Sequence, residues 1–572
     1  MSGKPGNAGR RIIIFAIAIT VVAGMVYPAL AAPPSPGAVI EGAKPPAAVQ
    51  QPAETKGPAI TVEGQQPPTQ ADGQHKIPVR GFRIGGEPPV PADELLGLVK
   101  REAGKELSLG ELNALAGRLT KHMRQKGYLV SFAYIPAQDI RDGIVEIAII
   151  PGKYGQVKIT GNGRFDHERL KGMLHAASPG TIITKDALER ALLIMSDLSG
   201  ISVKATLAPG EAAGTADLIL EVADTARWRG AAYADNWGNR YTSRNRLGFQ
   251  LAAGNIGGHG ENLFIGGLIS ENNRLHNYNF GYSILMGDDG ARFGVRHSRV
   301  NYALGENYAD LGATGHAIVT SGDISYPLIR SRTFSLYGTL AYEDKRLRDD
   351  QTASDSYVPK KSHALSAGLA GNFADSWLGG GVSSFTFTHY KGRLTIGDTA
   401  TAANDDATAR TAGGFAKTIF VLQRQQYLAR NLSFHLNFTG QLADKNLDSS
   451  EKLFLGGADG VRAFPQGEAA GDDGYKLTGE IRWRLPGLST AKDSVYLVGF
   501  YDYGSVTVNH KPWAGAGEQN RRSLMGAGLG VLWARSPDFA LRLDYAWKIG
   551  REQATADTDK NGRLWLQGVK YF

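Results

Sequence analysis

The sequence predicts two small α/β domains followed by an antiparallel, membrane-spanning β-barrel of about 16 strands. Three observations indicate this fold. Residues 77–225 contain two consecutive units with the same order of strands and helices. Residues 226–572 lose helical periodicity and alternate between apolar and polar side chains. Beyond the N-terminus no run approaches the roughly 18 apolar residues of a transmembrane helix, so strands must do any spanning.

Residues 1–31 have the features of a cleaved secretory signal peptide. A basic start leads into an apolar run from Ile12 to Val26, and Ala29-Leu30-Ala31 offers the small residues that signal peptidase recognises. An inner-membrane anchor is the alternative. The run is short for a span of about 20 residues, which favours the signal peptide.

Residues 32–76 are rich in proline, alanine, glutamine and glycine. Such a composition neither buries a core nor continues a helix, so we expect an extended, largely disordered tether. The segment shows no convincing amphipathic run, so we expect no helix within it.

Residues 77–151 form the first predicted α/β domain. Ser108 and Glu111 have the spacing of a capping box at the start of the second helix, and Gly127 is expected to end that helix. The expected order is strand, helix, helix, strand, strand, at residues 79–84, 92–103, 108–127, 129–135 and 143–150.

Residues 152–225 repeat that order and form the second predicted domain. Two successive units of about seventy residues with one topology constitute an internal repeat. The expected elements are a strand, two helices and two strands, at residues 156–160, 164–176, 184–198, 202–208 and 216–222.

Residues 226–572 form the predicted barrel. Apolar Leu432, Phe434 and Leu436 alternate with polar Ser433 and His435, and similar segments of about ten residues recur to the C-terminus. A soluble sandwich would also alternate, but this segment length suits a tilted membrane strand. Two pieces rich in acidic residues, alanine and glycine are expected to be surface loops, at residues 398–412 and 553–562.

Composition and missing motifs exclude several classes of function. Cysteine is absent, which excludes disulfides, cysteine nucleophiles and thiolate metal sites. The net charge is +8, but acidic and basic residues are interspersed, so nucleic-acid binding is not expected. The sequence has no Gly-x-Ser-x-Gly elbow, His-Glu-x-x-His helix or phosphate-binding loop. We therefore expect no enzymatic activity, no cofactor and no metal.

Short motifs in the two α/β units carry a family resemblance. The first unit contains Gly127-Tyr128 and Ile135-Pro136-Ala137-Gln138-Asp139, and the second contains Leu207-Ala208-Pro209-Gly210. With these motifs the units resemble polypeptide-transport-associated (POTRA) domains. Over about residues 77–572 the chain resembles the transporter component of two-partner (type V) secretion, of the haemolysin secretion/activation type. That type lies within the superfamily of outer-membrane assembly factors.

Two barrel motifs strengthen the resemblance. Val461-Arg462-Ala463-Phe464 is similar to the family's Val-Arg-Gly-aromatic motif, which lies at the tip of a long loop folded back into the barrel. Ala463 stands where the family usually has glycine. Phe500-Tyr501-Asp502 matches the family's Phe-x-Asp on a strand facing the lumen. The resemblance implies that Arg462 pairs with Asp502 inside the barrel.

The resemblance implies a transporter that secretes a haemolysin- or adhesin-like exoprotein across the outer membrane. The client would be recognised through its N-terminal secretion domain by POTRA domains in the periplasm. The barrel would contact outer-membrane lipid, and the barrel assembly machinery would recognise C-terminal Phe572. A barrel-assembly factor is the alternative within the superfamily. A passive porin would not need the two α/β domains.

Overall fold

The computed structural model describes residues 37, 39, 43, 58–63, 75–140, 142–161 and 163–572. The predicted signal peptide lies outside these residues. Within the part of the chain that is described, no helix combines the length and apolar character needed to cross a membrane.

Part of the predicted tether is structured. Gly37 and Val39 are helical, and the side chains of Val39 and Ala43 are fully buried against a cluster of barrel residues that includes Tyr302. Further along, Ile60–Val62 form strand β1. This differs from the expectation of an extended tether without a preceding helix. Ile60 and Val62 are β-branched and favour a strand, and the barrel supplies the apolar surface that the tether lacks.

The first α/β unit packs two helices on a small sheet. Its strands β3 and β6 are parallel, β5 joins β6 antiparallel, and β2 and β4 form a separate pair. The predicted capping box is confirmed at Ser108 and Glu111. The pair β2–β4 adds to the predicted order. The elements are β2 (Lys76–Val79), β3 (Gly81–Gly86), α1 (Ala92–Val99), β4 (Lys105–Ser108), α2 (Leu109–Gln125), β5 (Phe132–Tyr134) and β6 (Ile144–Ile150).

The second unit has the predicted order of elements. Its sheet order is β1-β8-β9-β7, so the strand from the tether lies at one edge. Buried leucines of both helices and of the sheet form its core. The elements are β7 (Lys153–Thr160), α3 (His167–Met173), α4 (Lys185–Ser196), β8 (Ile201–Pro209) and β9 (Thr215–Asp224).

The remaining chain forms a closed antiparallel barrel of 16 strands, which confirms the prediction. Strand β10 closes on β27, with Ala231 opposite Tyr571. A short pair, β21 (Leu453–Phe454) and β22 (Ala470–Gly471), lies inside one long loop. The barrel strands are β10 (Trp228–Asp235), β11 (Arg246–Gly254), β12 (Asn262–Ser270), β13 (Leu275–Met286), β14 (Ala291–Ala303), β15 (Ala313–Arg330), β16 (Phe334–Gln351), β17 (Ser356–Asp375), β18 (Gly381–Ile396), β19 (Gly413–Ala429), β20 (Leu432–Ala443), β23 (Asp473–Arg484), β24 (Asp493–Thr507), β25 (Arg521–Arg535), β26 (Phe539–Lys548) and β27 (Gly562–Tyr571).

The alternation along each strand separates a lipid face from a lumen face. On β23, Ile481 and Trp483 are about half exposed on the outside, whereas Glu480 is buried on the inside. On β26, Tyr545 and Trp547 face outward in the same way. Aromatic and aliphatic side chains therefore cover the outer surface, and charged side chains line the lumen, as membrane barrels require.

One predicted surface loop contains a helix. Residues 398–412 include α5 (Thr399–Ala407), whose first turn is capped because the Asp398 carboxylate accepts a hydrogen bond from the backbone N–H of Thr401. The helix within this loop was not predicted. Its run of threonine, alanine and aspartate was assigned to a loop by composition, although an aspartate cap followed by alanines is also a helix start.

Candidate functional site in the barrel lumen

The loop of residues 444–472, between β20 and β23, folds back into the barrel; we call it the folded loop. Its two limbs pair through β21 and β22. At its tip, Leu455, Val461 and Phe464 are fully buried and pack against wall residues such as Val498 and Leu524. The tip is therefore held against the wall from β24 to β26 by apolar contacts as well as by charge.

Arg462 lies at the tip and binds Asp502 on β24 by two hydrogen bonds. Its Nε and Nη2 atoms donate to the two carboxylate oxygens, each over 2.8 Å. The backbone N–H of Arg462 also donates to Asp502, over 3.1 Å. The Arg462 side chain is 2% exposed and that of Asp502 is 0% exposed. The planar guanidinium thus meets a carboxylate with the two-pronged geometry that gives strong charge-assisted bonds.

Two more carboxylates complete the surroundings of Arg462. Its Nη1 atom donates to Glu480 on β23 over 2.7 Å and to Asp544 on β26 over 3.0 Å. From the lumen wall, Arg482 binds Glu480, and Arg542 binds both Glu480 and Asp544. Three arginines and three carboxylates therefore form one network with balanced formal charge, which makes its burial tolerable.

Neighbouring side chains fix the backbone of the tip. The Trp565 indole N–H on β27 donates to the Arg462 carbonyl over 2.7 Å, and the Phe500 ring centroid lies 3.4 Å from the Arg462 guanidinium carbon. Ala463 packs on Gly526, where an added Cβ would lie 2.6 Å from the Ala463 methyl group. The methyl group that replaces the family's glycine is thus accommodated by a glycine on β25.

Glu468 anchors the second limb of the folded loop, which leads from the tip to β23. Its fully buried carboxylate accepts hydrogen bonds from the Arg522 guanidinium and from the backbone N–H groups of Thr555 and Ala556. Each of these bonds is 2.7 or 2.8 Å long. The contacts join the folded loop to the segment between β26 and β27.

The root of the folded loop is held by lysines on another part of the barrel wall. Glu451 binds Lys345 on β16 over 2.6 Å and Lys417 on β19 over 2.8 Å, and Asp448 binds Lys360 on β17 over 3.0 Å. All five charged groups are nearly buried. The folded loop is therefore tied to the barrel wall by two separate groups of ion pairs.

Comparison with known proteins identifies the family. The model for the haemolysin secretion/activation protein ShlB/FhaC/HecB matches residues 214–532, which is more than half of the 572 residues. The chain belongs to the haemolysin secretion/activation family. A second model, the POTRA domain of the ShlB type, matches residues 77–152. Members of this family are transporters, and this transporter acts in the outer membrane with its POTRA domains in the periplasm and a secreted exoprotein as partner.

Individual relatives agree with this assignment. The transporter is 28% identical over 485 residues to the heme/hemopexin transporter protein HuxB of Haemophilus influenzae, covering 84% of this chain and 85% of HuxB. It is 22% identical to the outer membrane transporter CdiB of Dickeya dadantii, covering 74% of each chain. The solved structure of CdiB from Escherichia coli superposes with a TM-score of 0.69 at 19% identity, covering 89% of this chain and 93% of that one, and so shares the fold.

The motif residues of the first POTRA domain lie at its sheet and at its contact with the second. Gly127 follows α2 with a φ of 96°, and its carbonyl accepts a bond from the N–H of Lys185 at the start of α4, over 2.7 Å. Tyr128 packs on the core of the first domain. The Gln138 amide bonds the backbone N–H and carbonyl of Glu146, each over 2.8 Å. Pro136 is half-buried, and Asp139 is exposed.

The motif residues of the second POTRA domain form a hairpin. Pro209 ends β8, and the N–H of Gly210 donates to the carbonyl of Thr215 at the start of β9, over 3.0 Å. A Cβ on Gly210 would lie 2.3 Å from the Thr215 hydroxyl. These contacts show that Pro209 and Gly210 shape the turn between β8 and β9. They do not indicate a separate binding pocket.

Several residues of the lumen site were not singled out from the sequence. The sequence alternates in these segments and puts Glu480, Arg482, Arg542 and Asp544 on the polar face of their strands, but alternation does not show which of them meet inside the barrel. The lysines that bind the root of the folded loop carried no motif. Their signal is the presence of charge on an inward-facing strand position, which is costly in a membrane protein unless paired.

Proposed function

We propose that the transporter exports an unfolded partner exoprotein through the barrel lumen and that the folded loop must shift for passage. The observation that carries this proposal is the buried network around Arg462, which pins the loop tip to the wall. The network consists of non-covalent contacts, which are mostly hydrogen bonds and ion pairs of side chains together with two hydrogen bonds of the Arg462 backbone. An arriving chain can therefore exchange partners with it stepwise. Haemolysin- or adhesin-like exoproteins with an N-terminal secretion domain are the first clients to test.

The POTRA domains would receive the client before it enters the barrel. A sheet edge beside a helix can accept an extended segment through backbone hydrogen bonds while apolar side chains enter the neighbouring groove. The exposed aliphatic and aromatic outer surface of the barrel supports contact with outer-membrane lipid. Phe572 is 69% exposed at the end of β27, which supports its recognition by the barrel assembly machinery.

The test is secretion of the partner exoprotein by cells that carry Arg462→Ala, Arg462→Lys or Asp502→Ala. We expect normal barrel insertion with secretion reduced by about tenfold or more in both alanine variants, because loss of one partner leaves buried charge uncompensated. The lysine variant should be intermediate, since an ammonium cannot form the two-pronged contact. Arg535→Ala is the matched control, because Arg535 pairs with Asp493 near a periplasmic turn outside the network.

Two results would count against the proposal. Normal secretion by Arg462→Ala would show that the network does not govern passage. Depletion of other outer-membrane barrels in a strain that lacks the transporter, with exoprotein secretion intact, would instead identify a barrel-assembly factor.

A further inference from the structure

One region of the barrel's outer surface is basic instead of apolar. On β16, Leu340 and Tyr342 face outward and are about half exposed, and the alternation of the strand turns Arg346 and Arg348 the same way. The turn before β16 contacts the second POTRA domain through Arg332, so this strand starts at the periplasmic end of the barrel. Its basic half therefore lies at the extracellular end.

The two strands that follow β16 extend this basic region. On β17, Lys361 lies directly opposite Arg346, and on β18, Arg393 lies directly opposite His363 of β17. Lys391 precedes Arg393 by two residues and faces the same side. Lys361, Lys391 and Arg393 are exposed, and none of them has an ion-pair partner among the residues that the structure describes. What we call the outer basic patch consists of Arg346, Arg348, Lys361, Lys391 and Arg393.

The outer basic patch begins at the edge of the apolar belt that faces the lipid. Lys391 lies directly opposite Leu365, which is 52% exposed on the outer surface. Phe387, four residues before Lys391, is exposed on that surface as well. Successive residues on one face of a strand are about 7 Å apart, so Arg393 lies just beyond this edge. The patch therefore starts where the hydrocarbon ends, at the depth of the head groups of the outer leaflet.

The charge of the outer basic patch is only partly neutralised. Arg346 pairs with Asp344 over 3.1 Å, and Arg348 pairs with Asp350 over 2.9 Å, in each case along the same strand. Like charges directly opposite on neighbouring strands are unfavourable, and Arg346 and Lys361 are placed in this way. The patch thus keeps a net positive charge, which a bound anion would offset.

Another part of the barrel wall has a different surface at the same end. On β23, β24 and β26, the outward positions there are occupied by Tyr475, Tyr503 and Trp547. Tyrosine and tryptophan have amphipathic rings that suit the boundary between lipid and water. An ordinary aromatic interface on these strands therefore contrasts with the basic one on β16, β17 and β18.

We propose that the outer basic patch binds the phosphate groups of lipopolysaccharide in the outer leaflet. Arginine meets phosphate oxygens with parallel hydrogen bonds, and lysine adds a point charge on a flexible stem. On β19, Gly414 and Ala416 lie opposite Arg393 and Lys391, so there is room for a head group beside the cations. The aliphatic stems of the cations and Leu365 contact the acyl chains. This inference is independent of export, because it concerns lipid outside the lumen.

Lipid binding by the purified full-length transporter in detergent tests the outer basic patch. Native mass spectrometry with added diphosphoryl lipid A gives an apparent Kd, and the same lipid without its phosphates is the second probe. We expect the variant with Lys361→Gln, Lys391→Gln and Arg393→Gln to bind diphosphoryl lipid A about tenfold more weakly than the wild type, because charge-assisted bonds are lost. The lipid without phosphates should bind weakly and equally to both proteins.

A matched control removes the same charges elsewhere. Lys511, Arg551 and Lys560 are exposed in the extracellular loops that follow β24 and β26. The variant with Lys511→Gln, Arg551→Gln and Lys560→Gln also loses two lysines and one arginine. We expect it to bind diphosphoryl lipid A like the wild type, since these residues lie outside the patch.

Asp344→Asn tests the outer basic patch in the other direction, which a misfolded variant cannot imitate. The change frees Arg346 from its carboxylate partner. We expect diphosphoryl lipid A to bind about threefold more tightly, a change of the size that an exposed ion pair contributes.

Three results would overturn the inference. One is equal binding of diphosphoryl lipid A by the wild type and the patch variant. Another is equal binding of the two lipids by the wild type. The third is displacement of lipid A by millimolar inorganic phosphate, which would identify a site for free phosphate. No exoprotein takes part in these measurements, so their failure would leave the proposed function intact.

Discussion

Arg462 is a charge held almost entirely out of water. Burying a guanidinium is unfavourable unless its donors and charge are compensated, and removal of one member of such a pair costs about 3–5 kcal/mol. Three carboxylates accept from this side chain, and its own backbone N–H is bound by one of them. Arg462 thus stabilises one position of the loop tip strongly. All of its contacts are non-covalent, so other polar groups can replace its partners.

Asp217 in the second POTRA domain shows how a single carboxylate shapes a strand. The β7–β9 register shifts between Tyr154 and Val157, and Asp217 fills the irregularity. Its carboxylate accepts from the backbone N–H of Gln156 over 2.8 Å and from the Lys158 ammonium over 2.7 Å. These bonds, the backbone one first, lower the pKa of Asp217 below its ordinary value of 3.8.

The lowered pKa of Asp217 leads to a pH prediction. A carboxyl with a depressed pKa in the folded state contributes stability above its unfolded pKa and loses it as pH falls through the folded value. We expect the hydrogen-exchange protection of β7 and β9 in the full chain, corrected for the pH dependence of intrinsic exchange, to fall below about pH 4. Asp217→Asn should exchange faster at neutral pH and lack this acid step. If the acid step persists in the Asp217→Asn variant, a group other than Asp217 causes it.

At the scale of elements, the folded loop is fixed at two ends by different chemistry. The tip meets arginine and carboxylate partners on β23, β24 and β26, whereas the root meets lysines on β16, β17 and β19. Gln441 adds a bond from its side-chain amide to the Glu451 carbonyl over 3.0 Å. Since the two groups share no residue, either one can be altered by substitution without removing a partner from the other.

Glu451→Gln tests the root alone. The substitution removes the negative charge that Lys345 and Lys417 bind, so we expect a loop that moves more readily, seen as more frequent openings in planar-bilayer conductance. Tip contacts should persist, because Arg462 keeps its partners. Glu343→Gln is the matched control, since Glu343 binds the same Lys345 over 2.9 Å but belongs to the barrel wall. Equal conductance in both variants would show that the contacts at the root of the folded loop do not control opening of the pore.

At the scale of the whole molecule, the second POTRA domain is clamped to the periplasmic end of the barrel. Arg330 at the end of β15 binds Asp197 with two hydrogen bonds of 2.8 and 2.7 Å. The Arg190 guanidinium donates to the carbonyl of Pro327 over 2.9 Å, and Leu285 of the barrel lies in the core of the domain. The domain is therefore oriented by the barrel as well as by the chain connection.

Asp197→Ala should loosen this orientation. Without the carboxylate the Arg330 guanidinium loses its paired partner, and we expect a broader distribution of distances between spin labels placed on the POTRA domain and the barrel. Because the chain has no native cysteine, labels can be attached at engineered positions only. Glu221→Ala, which removes a surface pair with Lys204 in the same domain, is the control and should leave the distribution unchanged. An unchanged distribution in Asp197→Ala would show that apolar contacts alone hold the domain.

The sequence by itself predicted the repeat of two α/β units, a barrel of about 16 strands and the inward face of the strands whose alternation is clear. These follow from local periodicity, because a side chain's face depends only on its position along a helix or strand. The short motifs also indicated that Arg462 and Asp502 meet, through the resemblance to a family.

Only the tertiary structure decided which charges share a network and which segment covers which edge. Glu480 and Asp544 lie 64 residues apart in sequence and approach one arginine because the barrel closes. Ile60–Val62 form a strand only because β8 offers an open edge, and Val39 and Ala43 are buried only because the barrel provides a surface. Such contacts depend on closure of the whole sheet, so they cannot be predicted from any local pattern in the sequence.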